Sequence, residues 1–454
     1  MTTTVKAYTT SFRTRMLYSL SSFGVALPAE SVGGIIAFYI VDVMNLPATW
    51  FATFWIFYTI YNAVNNPLLG YLSDRTKSRW GRRIPYILFG SLPYVLIYAL
   101  IFWSPFDGKV NPYGLLAYFG VLIILWEGLY TAVATGYYSL LPEMFPDYEE
   151  RTDVAAKMNI FQIIALLVGV ALPPLMADLI GWGWMALILA IISGVAIYIG
   201  VPAMFEMKKE DTYFPIGEAL KATFLNRSYL MAAISQTMRF FGTGVLQMGM
   251  LFYVKYCLQA DAATASLFFG VAFILAALAL YPWKFWVANR LDSRRTLMIA
   301  NAIMIVGMIP LGFGTSLTVA LVAAAIVGIG LSGLVLIGDV IVAEVVDEDE
   351  VKTGVQRAGM YFGMTGFLIT LGGLLVSSVF GIIVPMYGYD TMLDVQPATV
   401  DLGFRIFLTV PSIIGFALAI VALYFYPLHG ERLKNIRAEL AKKTELRKIA
   451  AEKA

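Results

Sequence analysis

The chain has 454 residues, of which 59% are apolar and only 14% are charged. A soluble domain usually has about 25% charged residues, so this composition excludes an ordinary soluble protein. The net charge of +2 favours no class of partner, and the single cysteine, Cys257, excludes an internal disulfide. The apolar residues fall in runs of about 20, the length of helix that crosses a bilayer core.

Twelve apolar segments are predicted to cross the membrane as helices, which makes the fold class an all-α polytopic membrane protein. The first carries Glu30 and is too long for a signal core, so it is predicted to be an uncleaved span. The segments cover roughly residues 17–41, 49–73, 84–104, 113–141, 154–178, 182–204, 229–256, 263–288, 296–315, 318–343, 358–386 and 404–428.

The spans divide into two groups of six. Residues 1–204 are predicted to form an N-terminal bundle, 205–228 a cytoplasmic linker, 229–428 a C-terminal bundle and 429–454 a basic cytoplasmic tail helix. The loop YLSDRTKSRWGRR after span two is echoed by ANRLDSRRT after span eight, which predicts duplicated halves. The tail favours a helix near anionic lipid headgroups over a contact with nucleic acid.

The distribution of basic residues predicts the orientation. Of the 32 Lys and Arg residues, only Lys109, Lys255 and Arg405 fall in the predicted outer loops. Because cytoplasmic loops carry the excess of basic residues, both termini are predicted to be cytoplasmic, in the cell membrane.

Several chemistries have no support in the sequence. No phosphate-binding GxxxxGK[ST] motif occurs, and GIGLSG (Gly328–Gly333) lies in an apolar helix, where close helix packing is the better interpretation. The single histidine, His429, cannot form a metal site alone. The acidic run VVDEDE (Val345–Glu350) is predicted to be a cytoplasmic loop facing Lys352 and Arg357. We therefore expect neither an enzyme nor a cofactor or metal.

A polar stripe and a basic loop organise the N-terminal half. Tyr58, Asn62, Asn65 and Asn66 recur at helical spacing, so they share one face, which should point into the bundle or a water-filled path. The loop that follows lies at the membrane surface, far from any midplane cavity, and is predicted to be a conformational latch. Its latch residues are Asp74, Arg75, Arg79, Arg82 and Arg83.

Three charges within the predicted spans are candidate functional residues: Glu30, Glu127 beside Tyr130, and Arg239 on one face with Gln236. A charge at membrane depth costs at least about 2.5 kcal/mol, so each should be paired or should face water. Two interpretations remain open: a substrate pathway, or a structural ion pair or interfacial charge.

Three motifs resemble those of the glycoside–pentoside–hexuronide:cation symporters, the melibiose-permease-like branch of the major facilitator superfamily. They are NNPLLGYLSDRTKSRWGRRIPYIL after span two, YYSLLPEMFPDYEERTD after span four and AEVVDEDEVKTGVQRAGMYFG before span eleven. The resemblance covers nearly the whole chain. It implies the major facilitator fold, with two pseudo-symmetric six-helix bundles that rock around a central cavity.

The charged residues typical of that family are neutral in this chain. An amide cannot titrate as a carboxylate does, so Na⁺ coupling through span two is in doubt. Glu127 is then the candidate proton carrier, and a uniporter is the alternative. The family's two span-two aspartates fall on Asn62 and Asn66, its span-four aspartate near Ala134, its span-five basic residue near Asn159 and its span-eleven lysine near Thr370.

The sequence thus predicts a monomeric secondary transporter of a small polar solute, a sugar or glycoside, coupled to a proton. A lysolipid carrier of the same fold and a non-transporting scaffold or sensor are the alternatives. The candidate substrate-binding or translocation residues are Glu30, Tyr58, Asn62, Asn66, Glu127, Tyr130, Asn159, Gln236 and Arg239.

Overall fold

A computed structural model of the chain describes residues 10–76, 78–145, 147–206, 226–288, 290–354 and 357–440. Within these ranges, the side chains of 66, 67, 70, 71, 73–75, 148, 149, 262, 358 and 359 are not described. The predicted roles of the Asn66, Asp74 and Arg75 side chains therefore fall outside the described residues. So do most of the predicted linker and the end of the predicted tail.

The described residues form helices joined by short connections. In the first half, the helices are α1 (Phe12–Phe38), α2 (Ala48–Arg75), α3 (Ile84–Ile101), α4 (Pro112–Met144), α5 (Tyr148–Leu166), α6 (Leu172–Ile180) and α7 (Trp182–Gly200). In the second half, they are α8 (Arg227–Tyr256), α9 (Ala262–Pro282), α10 (Ser293–Phe313), α11 (Leu317–Thr353), α12 (Ala358–Met386) and α13 (Thr399–Tyr424). Residues 430–440 are also helical.

Ten of the described helical segments are long and apolar enough to cross a membrane. A π-helical turn, Leu167–Ala171, joins α5 to α6, so these two helices form one segment. The two remaining long helices, α2 and α8, have 28 and 30 residues and carry the polar stripes predicted from the sequence. These observations confirm the prediction of an all-α, multi-pass membrane protein.

Polar residues in the connections fix where helices begin. The side chains of Asn111, Asp147 and Asp292 accept hydrogen bonds from backbone N–H groups in the first turns of α4, α5 and α10. The first N–H groups of a helix have no partner within the helix, so a capping oxygen stabilises each start. In lipid this matters more, because few water molecules compete for these groups.

The chain forms two compact units. Helices α1 to α7 belong to the first, and α8 to α13 belong to the second apart from two short segments, Asp261–Leu267 and Asp390–Val395, which group with the first. In the first unit, α1 packs on α5 and α7, and α3 packs on α4 and α7. In the second unit, α8 packs on α12 and α13, and α10 packs on α11 and α13. The same pairs of spans therefore recur in both halves, as duplication requires.

Small residues allow the closest helix contacts. A Cβ atom on Gly24 of α1 would lie 2.4 Å from the Ser193 carbonyl oxygen of α7. A Cβ atom on Gly328 of α11 would lie 2.2 Å from the Ala272 carbonyl oxygen of α9. Gly328 begins GIGLSG, so this sequence is a helix-packing element, as predicted. Such contacts are typical of membrane helices, where close approach of backbones drives association.

Gly24→Ala is expected to lower the stability of the first unit by about 1–3 kcal/mol, because the added methyl group has to displace backbone atoms of α7. Gly194→Ala, on α7 itself, is the matched control, since its Cβ would meet only Val95 at an ordinary 3.5 Å. Thermal unfolding in detergent measures both variants. Equal midpoints for the two would contradict the packing role of Gly24.

Candidate translocation site

A buried carboxylate lies at the centre of the first unit. Glu127, on α4, is only 2% exposed. The Tyr58 hydroxyl, from α2, donates a hydrogen bond to its Oε2 atom at 2.5 Å, and the Thr131 hydroxyl donates to its Oε1 atom at 3.3 Å. The Asn62 side chain also hydrogen-bonds to the Tyr58 hydroxyl. Three residues predicted from the sequence, Tyr58, Asn62 and Glu127, thus form one hydrogen-bonded cluster with Thr131 on two helices, here called the Glu127 cluster.

An aromatic wall lies beside this cluster. The rings of Trp126 and Tyr130 stack with centroids 5.7 Å apart and planes 7° apart, and the Tyr94 ring of α3 stacks on Trp126 at 5.8 Å. Trp126 is 1% exposed, and its indole Nε1 has no hydrogen-bond partner among the described residues. A buried indole N–H usually has an acceptor, so this donor can serve a bound polar group.

Glu30 enters the same region from α1. Its carboxylate lies within electrostatic range of the Tyr130 and Tyr138 hydroxyls of α4. Gly169, in the π-helical turn between α5 and α6, allows this turn to approach α1, since a Cβ there would lie 2.9 Å from the Leu27 carbonyl oxygen and 3.4 Å from the Glu30 Cβ. π-helical turns often mark functional sites in long helices.

Two polar residues of the first unit differ in their surroundings. Asn159, on α5, is exposed and is not hydrogen-bonded to the Glu127 cluster within the described part of the chain. Asn65, on α2, is buried, and its Nδ2 atom has no hydrogen-bond partner among the described residues. The assignment of Asn159 to the pathway stays a prediction.

The second unit holds the other polar stripe. Arg239, on α8, is buried, and its Nη1 atom donates to the Leu334 carbonyl oxygen of α11 at 2.9 Å. The Gln236 side chain donates to the Gly338 carbonyl oxygen at 2.6 Å. Gly338 makes room for the guanidinium, since a Cβ there would lie 2.9 Å from Nη1. Asp339 is the carboxylate within electrostatic range of Arg239. Both predicted residues therefore anchor α8 to α11.

The basic loop after α2 is held by two carboxylates. Glu143, at the end of α4, accepts at its Oε1 atom from Arg82 and from Arg83, each at 2.7 Å. Glu206 accepts from three consecutive backbone N–H groups, those of Arg82, Arg83 and Ile84, at 2.7–2.9 Å. Such contacts satisfy the free N–H groups that begin α3 and place a negative charge at its positive end.

Gly81, in this loop, leaves the space that the Glu206 carboxylate occupies. Gly81 has a φ of +104°, and a Cβ atom there would lie 2.5 Å from the Glu206 carboxyl group. The remaining latch residue, Arg79, lies over the exposed Trp80 ring at 3.9 Å from its centroid. Of the latch arginines whose side chains the structure describes, Arg82 and Arg83 bind a carboxylate, whereas Arg79 contacts an aromatic ring.

The structure corrects the prediction that the acidic run Val345–Glu350 forms a cytoplasmic loop. The run does not form a loop, because α11 continues through it to Thr353 and ends at Gly354 with a φ of +77°. Arginine side chains neutralise two acids of this run and Glu344 just before it. Arg357, in the connection to α12, pairs with Asp349 at 2.6 Å. Arg432 and Arg437, both in helix 430–440, pair with Glu348 at 2.6 Å and with Glu344 at 2.9 Å.

The sequence analysis missed three residues of these sites. Trp126 was not distinguished from the general enrichment of aromatic residues. Glu143 lies in the motif LLPEMFPDYEERTD, and Glu206 was assigned only to the charged start of the linker. Glu143 could have been found, because it is an acid at the end of an apolar span, at the same membrane surface as a basic loop. The residues around Glu206 contain no pattern that predicts a cap for α3.

The fold of the chain is similar to the folds of solved membrane transporters. It superposes on the nucleoside transporter NupG with a TM-score of 0.64 at 12% identity, covering 92% of this chain and 99% of that chain. A likeness at that identity establishes the fold and no more.

The chain belongs to the MFS/sugar transport protein family, whose model matches residues 17–430. It is 26% identical to the isoprimeverose transporter of Lactiplantibacillus pentosus, over 91% of this chain and 88% of that protein. It is 25% identical to the glucuronide carrier protein homolog of Escherichia coli, over 95% of each. The family predicted from the three motifs is thereby confirmed, and the chain is a membrane transporter and not an enzyme.

Glu206→Gln is expected to loosen the start of α3. The amide offers one acceptor oxygen where the carboxylate offers two, and a hydrogen bond to a charged group contributes about 1.5–3 kcal/mol. Hydrogen exchange at the amides of Arg82, Arg83 and Ile84 should accelerate, as mass spectrometry of peptides can measure. Glu431→Gln, at an exposed glutamate, is the control and should leave these amides unchanged.

Proposed function

We propose that this protein transports a sugar or glycoside together with a proton and that Glu127 carries the proton. The observation on which this depends is the Glu127 cluster, a buried carboxylate that accepts hydroxyl hydrogen bonds from two helices. The relatives that transport isoprimeverose and resemble a glucuronide carrier support a sugar as the solute. Membership of the sugar transport protein family supports the class of transported solute. The geometry of the first unit supports the roles proposed for the residues of the Glu127 cluster.

The cluster is suited to exchange one hydroxyl partner for another. The carboxylate of Glu127 accepts from Tyr58 and Thr131, and a sugar hydroxyl can replace either donor with the same geometry. When the carboxyl group is protonated, one oxygen becomes a donor and the group becomes a weaker acceptor, so the hydrogen bonds from Tyr58 and Thr131 weaken or rearrange. Proton loading and solute binding would therefore compete for, or depend on, the same two hydroxyl groups.

The amides next to Glu127 favour a proton over Na⁺ as the coupling ion. Asn62 hydrogen-bonds to Tyr58 and brings no charge to the cluster. Among the described residues, no group of three or more His, Cys, Asp and Glu side chains could hold a metal ion. A neutral amide offers Na⁺ one carbonyl oxygen and no charge. Glu127 is then the titratable group of the cluster.

The aromatic wall provides the apolar surface that a sugar needs. Pyranose rings present C–H groups on their faces and hydroxyls on their edges, so a site that combines aromatic rings with polar groups fits them. Trp126 directly precedes Glu127 in sequence, and Tyr130 lies one turn further along the same helix. We propose Trp126 Nε1 as a donor to a sugar hydroxyl.

Glu127→Gln is expected to abolish accumulation of solute against its gradient while leaving downhill exchange, because the amide cannot carry a proton. Proteoliposomes with an imposed pH step measure both, using a labelled glycoside chosen from a panel that includes isoprimeverose and a glucuronide. Glu431→Gln is the control: it removes an exposed carboxyl group outside the Glu127 cluster, so pH-driven accumulation should persist.

Two outcomes would contradict this assignment. Undiminished pH-driven accumulation by Glu127→Gln would exclude Glu127 as the carrier. Accumulation by the native protein under a Na⁺ gradient alone, at equal pH on both sides, would show that the neutral stripe on α2 does not prevent Na⁺ coupling.

The basic loop is proposed as a latch that stabilises one conformational state. Arg82 and Arg83 tie the loop to Glu143 on α4, and Glu206 ties the start of α3 to the residues that follow α7. Glu206→Gln tests this role as well: transport rate should change while solute affinity in detergent stays the same. An unchanged rate alongside accelerated hydrogen exchange would make the contact structural only.

The protein is further proposed to be a monomer in the cell membrane with both termini in the cytoplasm. Cys257 is the only cysteine, so a Cys257→Ala parent allows single-cysteine labelling. In intact cells a membrane-impermeant maleimide should label Lys109→Cys, whereas Lys434→Cys should require permeabilised cells. Equal labelling of both positions from outside would contradict the orientation.

A further inference from the structure

A positively charged cavity lies at one end of the second unit, and none of the candidate translocation residues lines it. Its volume is about 380 Å³, within the range of about 300–1,000 Å³ common for ligand sites. The start of α8, the end of α11 and the connection before helix 430–440 form its walls. Four cations line it, namely Arg227, Lys352, Arg357 and Arg432, against one lining carboxylate, Asp349.

The cations that line this cavity outnumber the carboxylates that pair with them. Lys352 and Arg432 share one carboxylate oxygen, Glu348 Oε1, at 2.8 and 2.6 Å. Arg357 binds Asp349 through two hydrogen bonds, of 2.8 and 2.6 Å. These bonds raise the pKa of Arg357 above its usual value, so it remains charged.

The fourth cation, Arg227, is exposed and forms no ion pair with the described residues. The four cations have two carboxylates, Glu348 and Asp349, as ion-pair partners, so two of the cations lack a carboxylate of their own. Two further acids, Asp347 and Glu350, lie on the same end of α11 but do not line the cavity. A phosphate monoester carries a charge of about −1.5 to −2 at neutral pH and can pair with both of these cations.

The helix ends add to the preference for an anion. The positive end of the α8 dipole begins at Arg227 in the cavity wall, where negative charge is stabilised. The negative end of α11 lies in the opposite wall, but Lys352 in its last turn offsets that end. Arginine guanidinium groups form paired hydrogen bonds with phosphate oxygens, and three of the four cations are arginines.

We propose that this cavity is a binding site for a phosphate-bearing anion. Its contacts are Arg227, which forms no ion pair with the described residues, and Arg432, which shares Glu348 with Lys352. The phosphate belongs either to a soluble ion or ester or to the headgroup of an anionic lipid. Arg357, held by Asp349, positions one wall. This assignment is independent of the transported solute, because it depends on residues outside the candidate translocation site.

Binding to the purified, delipidated full chain tests the proposal in two arms. In the first, calorimetric titration with inorganic phosphate is compared with chloride at equal ionic strength. In the second, native mass spectrometry counts bound phosphatidylglycerol against phosphatidylcholine. Saturable binding in the first arm identifies a soluble phosphate, and preferential binding in the second identifies a lipid headgroup.

The variants connect either signal to the cavity. The double variant Arg227→Gln and Arg432→Gln should weaken binding by about tenfold or more, since it removes two charged contacts. The control removes two exposed positive charges outside the cavity, by Arg295→Gln and Lys434→Gln, and should leave binding unchanged. Arg227→Gln alone, which breaks no described ion pair, provides the same test where the double variant unfolds.

Two results would overturn the proposal. One is the absence of saturable binding in both arms by protein that elutes as a folded monodisperse species. The other is an equal loss of binding in the cavity variants and the control, which would mean that general surface charge, and not this cavity, attracts the anion.

Discussion

The structure of the first unit depends on burying the Glu127 carboxylate inside an apolar bundle. A buried charge is costly unless hydrogen bonds replace its water, and the hydroxyls of Tyr58 and Thr131 supply them. That requirement fixes the rotation of α2 about its axis, because Tyr58 must face α4. In the proposed mechanism, the hydroxyl groups of a bound solute can replace those of Tyr58 and Thr131, so the cluster can respond to solute binding.

A second constraint operates where the helices end at the membrane surface. There, free backbone groups and side-chain charges lie close together and have to compensate one another. Glu206 covers three N–H groups at the start of α3, and Glu143 holds two arginines in the same loop. In the second unit, arginines neutralise the acidic end of α11. The same physical problem is thus solved with different residues in the two halves, and in the second half the solution lies beside a cationic cavity.

The two halves also differ in their midmembrane charges. The first holds a carboxylate supported by hydroxyl donors, which is an arrangement that can gain or lose a proton. The second holds Arg239, whose guanidinium is bonded to a backbone carbonyl of α11 and fits against Gly338. A guanidinium does not titrate under physiological conditions. This difference supports the roles proposed above, an anchor for Arg239 and a proton carrier for Glu127.

The sequence by itself determined the membrane class, the positions of the spans and the family, because hydrophobic length and contiguous motifs are local properties. It also singled out Tyr58, Asn62 and Glu127, since charges and polar stripes are conspicuous in apolar helices. Only the tertiary structure decided which of these touch, because α2 and α4 meet through packing that no local pattern encodes. For the same reason it alone placed Glu206 on the start of α3 and turned an expected acidic loop into the end of α11: both outcomes depend on partners more than 80 residues away. Local pattern fixes what a segment prefers, whereas the neutralisation of its charges depends on distant residues that folding brings together.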